Sequence, residues 1–74
     1  MTKTQGFEIG QRVTNERGAW VELRTAQHPS NFYHVYYFAH YAPDFAPGIK
    51  SAESASHMSR AKVERQMRNW LRNR

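Results

Sequence analysis

The chain has 74 residues, with 11 Lys and Arg against 6 Asp and Glu for a net charge of +5, and no cysteine. A chain this short buries only about 60% of the surface it exposes when unfolded; without disulfides or thiolate metal sites, one thin apolar core or a partner has to hold it. No apolar run reaches a membrane span and the first residues lack the apolar stretch of a secretory signal, so the expectation is one small cytoplasmic domain over residues 1–74, away from membranes.

Residues 1–6, MTKTQG, read as a disordered lead-in. From Phe7 to Val13 the odd positions Phe7, Ile9 and Val13 are apolar, with Gln11 the exception, and alternate with Glu8, Gly10 and Arg12, which predicts a first strand. Asn15, Glu16, Arg17 and Gly18 form a polar run whose glycine supplies the positive φ of a bulged hairpin loop. Ala19 to Thr25 alternates again, with Ala19, Val21 and Leu23 on one face and Trp20, Glu22 and Arg24 on the other. After the loop Gln27, His28, Pro29, Ser30 and Asn31, the aromatic and β-branched segment Phe32–Tyr41 predicts a third strand. Both of its faces are aromatic. Tyr33, Val35, Tyr37, Ala39 and Tyr41 lie on one side, and Phe32, His34, Tyr36, Phe38 and His40 on the other.

Pro43 and the Pro47–Gly48 pair mark a loop. Beyond it Ser51 is a candidate N-cap with Glu53 in the first turn, while Ser54, Ser56 and Ser59 are competing caps that would start the helix as late as residue 60. Val63, Met67, Trp70 and Leu71 form one apolar stripe, with Trp70 expected to be the largest side chain joining helix to sheet. Arg65, Arg68 and Arg72 fall within about 60° of each other on the opposite side, at 100° per residue. Most of the net charge sits here: Arg60, Lys62, Arg65, Arg68, Arg72 and Arg74 face a single acid, Glu64.

The fold class expected is therefore α+β: a three-stranded antiparallel meander over residues 7–41, with one amphipathic helix over 51–72 packed on one face. If the helix covers the face of Val21, Leu23, Val35 and Tyr37, the side carrying Trp20, Phe32, Tyr36 and Phe38, with Arg12, Arg24, His34 and His40, stays open.

Catalysis has little to stand on. The acids are scattered, and Ser54 and His57, one helical turn apart, lack a third group to orient the imidazole. His34 and His40 share a strand face but lie roughly 20 Å apart, too far for one metal ion. No catalytic residue, metal site or cofactor is expected. Two features do point to binding. Arg65, Arg68 and Arg72, with Lys62, match phosphate oxygens along a backbone. Trp20, Arg24, His34 and Tyr36 mix aromatics with cations on the open sheet face, a composition suited to stacking or groove contacts with DNA or RNA. The leading expectation is a nucleic-acid-binding module. The alternative is a protein-interaction module, such as a phage- or plasmid-type inhibitor or accessory protein that binds an acidic host surface, or a homodimer that buries two open faces together.

Overall fold

The structure, a computed structural model, describes residues 6–27 and 33–74. Its elements are β1 (Arg12–Thr14), β2 (Trp20–Gln27), β3 (His34–Tyr41), β4 (Ala52–Glu53) and α1 (Arg60–Arg72). The α+β class holds, but the antiparallel sheet has four strands in the order β1-β2-β3-β4 rather than three. The lead-in at 1–5 and the loop residues 28–32, with Phe32, lie outside the described residues.

The first strand is shorter than its alternation suggests. Gly10 takes φ +86° and Gln11 N–H donates to the Glu8 carbonyl at 3.0 Å, so the chain turns and Ile9 ends 47% exposed. Phe7 still reaches the core, held by the helix rather than by strand pairing. Its N–H donates to Glu64 Oε2 at 3.0 Å, and its carbonyl accepts from Arg60 Nη2 at 2.6 Å. The hairpin follows the expected chemistry: Gly18 sits at φ +86°, and Asn15 Oδ1 accepts from the N–H groups of Arg17 and Ala19 at 2.8 and 3.1 Å.

The segment 51–59 overturns the expected helix start. β3 is internal to the sheet, and its backbone at the buried residues Phe38 and Ala39 needs partners on both sides. Those partners come from 51–59: Ser54 N–H donates to the Phe38 carbonyl at 2.9 Å, Phe38 N–H donates to Ser54 Oγ at 2.9 Å, and Tyr36 and His57 exchange two bonds of 2.7 and 2.8 Å. Serine competes for backbone groups and forms helix poorly, so pairing wins over capping there. Glu53 lies in β4, not in a first helical turn. Ser59 is the actual cap, accepting from Lys62 N–H at 3.2 Å, and α1 begins at Arg60.

The β2–β3 register sets the two faces. Leu23 pairs with Phe38 and Val21 with His40, whereas Trp20 pairs with Tyr41 and Arg24 with Tyr37. The helix covers the face of Val21, Leu23 and Phe38, and these form the core with Phe7, Val63 and Met67; Val13, Tyr36, Trp70 and Leu71 pack against it half-buried. This corrects the third strand. Tyr36 and Phe38 face the helix, and Val35, Tyr37 and Tyr41 belong to the uncovered side. Trp70 meets His40 at 5.0 Å between centroids and Phe45 at 6.5 Å, while Val63 and Met67 are the fully buried helical residues. Among the described residues, no helix is long and apolar enough to cross a membrane.

Candidate nucleic-acid interface

On the uncovered face the ladder lines side chains up across strands. Arg12, Glu22, Ala39 and Glu53 stand in one row, and Thr14, Trp20 and Tyr41 in the next. The acids tie the arginines down. Glu22 accepts from Arg12 Nε at 3.4 Å through one carboxylate oxygen and from Arg24 Nε at 3.2 Å through the other. Arg24 then reaches past β3 to Glu53, with Nη1 to Oε2 at 3.3 Å. Ala39 lies between those two residues and is fully buried although the helix does not cover its face. A methyl group is small enough to let the arginine pass over it. Partly exposed pairs of this kind contribute only about 0–1 kcal/mol each, so their effect is orientation more than stability.

The aromatic row is closed in a similar way. The Arg12 guanidinium carbon sits 3.7 Å from the Trp20 ring centroid, and Tyr41 stacks beside the indole at 6.2 Å with 27° between planes. Phe45 meets Tyr41 edge-on at 5.5 Å. Arg12, Trp20, Arg24 and Tyr41, together with Ile49, Lys50 and Ser51 from the following loop, line an open cleft of about 460 Å³. Lys50 has no hydrogen-bond or ion-pair partner among the described residues, and neither Nη group of Arg12 donates to any of them.

The expected site residues fall on three different surfaces. Trp20 and Arg24 come together in this cleft. Tyr36 lies under the helix against the core, and His34, exposed at the start of β3, shares the face of Tyr36 and not that of Trp20. Lys62, Arg65, Arg68 and Arg72 are exposed on α1, and the last three point away from its buried stripe, so they look to the side of the molecule opposite the cleft. Arg72 Nη2 donates to Asn69 Oδ1 at 2.6 Å. Tyr41, Ile49 and Lys50 were not anticipated for the site. Tyr41 needed the strand register to be placed, and no local signal marks a loop that folds back beside a sheet.

The chain matches no protein-family model, no curated protein and no solved structure.

A second cluster packs on the helix-covered face at the same end of the sheet, where Phe45 touches both His40 and Tyr41. His40 lies among Phe38, Phe45 and Trp70, with centroids at 5.2, 6.0 and 5.0 Å. Arg74 stands 5.1 Å over Trp70 and bonds Asp44 at 2.7 Å. Burial, and then the Arg74 charge, lower the His40 pKa below its ordinary value, while the Phe38 backbone pulls weakly the other way. Its Nδ1 is buried and meets no hydrogen-bond partner. Among the described residues, no three His, Asp or Glu side chains gather as metal ligands.

Proposed function

We propose that the protein binds nucleic acid on the uncovered face of its sheet. The observation that carries the reading is the cleft itself, in which Arg12, Arg24 and Lys50 surround the Trp20–Tyr41 pair. Cations beside aromatic rings on a flat surface suit an anionic backbone carrying planar bases. Glu22 holds two of those cations in place before any ligand arrives, which reduces the ordering cost of binding. Lys62, Arg65, Arg68 and Arg72 form a separate cationic surface on the helix. A linear segment lying in the cleft does not reach them, so in this reading they contribute long-range attraction.

A protein partner is the competing reading, and one observation favours it: Ile49, 48% exposed, stands on the rim of the same cleft, where an apolar anchor would dock. Titration of labelled oligonucleotides over a range of salt separates the two. Replacing Arg24 and Lys50 with Ala should weaken binding and lower the log–log salt slope by about 0.7–0.9 for each phosphate that is no longer neutralised. Nucleic-acid affinity indifferent to both changes overturns the reading.

A further inference from the structure

We infer that the outward face of α1 holds a second nucleic-acid segment, so that one molecule bridges two segments, one against each side of its fold. The inference goes beyond the long-range attraction described above and rests on the cleft reading for the first of the two sites.

The second site follows from what the helix leaves out. At 100° per residue, Lys62, Arg65, Arg68 and Arg72 fall in an arc about 120° wide, centred opposite the stripe of Val63, Met67, Trp70 and Leu71. The other residues of α1 in that arc are Ala61 and Asn69, so it carries no acid. Glu64, the one acid of the helix, is turned toward the N-terminal segment. Its Oε2 accepts from Phe7 N–H at 3.0 Å and from Arg60 Nε at 3.3 Å. The contrast with the cleft is direct. There Glu22 and Glu53 hold Arg12 and Arg24 in ion pairs, whereas the side chains of Lys62 and Arg65 have no hydrogen-bond or ion-pair partner among the described residues. Like charges at i, i+3 and i, i+4, here Arg65 with Arg68 and Arg68 with Arg72, weaken a helix. A polyanion laid along the face relieves that repulsion.

The shape of the charge selects the partner. From Lys62 to Arg72 the row runs about 15 Å at 1.5 Å per residue, the length of about four phosphates along one strand of a duplex at 3.4 Å each. Arg17, from the hairpin between β1 and β2, lines one recess with Arg72 and continues the row past the end of the helix; Glu16 is the acid beside it. A phosphate backbone repeats its charge along such a row, while the carboxylates of a protein surface have no fixed repeat. The cleft and this face look in opposite directions. A duplex, stiff over about 150 base pairs, does not curl round a molecule 41 Å across at its widest, so the second face meets a second segment.

The test uses the intact protein with 20-base-pair DNA duplexes, half carrying a donor dye and half an acceptor, and in a second arm with 20-nucleotide single strands labelled the same way. In at least one arm, energy transfer should peak near one protein for two probes and fall in excess protein, when each probe has a molecule to itself. Arg65→Gln, Arg68→Gln and Arg72→Gln together should abolish transfer, while anisotropy shows one probe per protein still bound. Arg24→Ala with Lys50→Ala should abolish transfer as well, the remaining probe lying on the helix. Circular dichroism should show each variant folded, since glutamine is a good helix former. Transfer undiminished in the helix variant, or one probe per wild-type protein with no transfer, overturns bridging and leaves the cleft reading standing. A helix variant that binds no probe, or a cleft variant that bridges like the wild type, overturns the cleft reading and bridging with it. Phosphatidylserine vesicles run alongside: a helix variant that loses only vesicle binding assigns the face to an anionic membrane and overturns bridging. No nucleic-acid binding in either arm overturns both.

Discussion

Leu23 on β2 stands directly opposite Phe38 on β3, and both are buried beneath the helix. That pairing decides which aromatics of β3 are structural. Phe38→Ala should cost about 3–5 kcal/mol, a large part of what so small a domain has, because it empties the centre of the core. Tyr37→Ala, on the other face, should cost clearly less. Urea denaturation of the two variants checks this, and equal losses would show that the strand is paired one residue out.

Phe7 reaches the core without a strand, because its N–H and carbonyl are both held by the helical residues Glu64 and Arg60. Glu64→Ala removes the acceptor from a half-buried N–H and should destabilise by about 1–3 kcal/mol. Arg60→Ala should cost less, since the arginine is more exposed. A Glu64→Ala variant that melts like the wild type would mean that the N-terminal segment adds nothing to the core.

Gly18 and Gly48 both have positive φ, at +86° and +90°, but their surroundings differ. A Cβ at Gly18 comes within 3.3 Å of Pro43 Cγ, whereas one at Gly48 meets nothing within 4 Å. Each Ala substitution should cost about 1–2 kcal/mol for the left-handed backbone. Gly18→Ala should exceed Gly48→Ala, because the proline has to shift as well. Thermal melts in the reverse order would contradict this account of the hairpin.

His40 gives a pH dependence with a definite sign. Its folded pKa lies below its ordinary value of about 6.5, so the unfolded chain binds the proton more readily. Its contribution is fully present above that value and is lost as pH falls toward the folded pKa. Stability measured by denaturant should therefore decline between pH 7 and pH 5, ahead of the carboxylates. His40→Phe, which keeps an aromatic ring beside Phe45 and Trp70, should flatten that decline. Parallel profiles for the two proteins would assign the effect elsewhere.

What the sequence determined by itself was whatever rests on local periodicity and backbone chemistry. The stripe Val63, Met67, Trp70 and Leu71 turned inward, Arg65, Arg68 and Arg72 turned outward, and Val21 and Leu23 faced the core, because in each case only one side of the element is apolar. Gly18 made its turn because glycine alone takes that φ without strain. β3 had no such asymmetry. With aromatics on both faces its orientation was open until the ladder set Leu23 against Phe38, and that one pairing moved Tyr36 out of the candidate site and brought Tyr41 in. The serine-rich stretch was decided the same way. Its residues serve as well for caps as for an edge strand, and the unpaired backbone of Phe38 chose the strand, a demand that exists only once β3 is buried in the sheet.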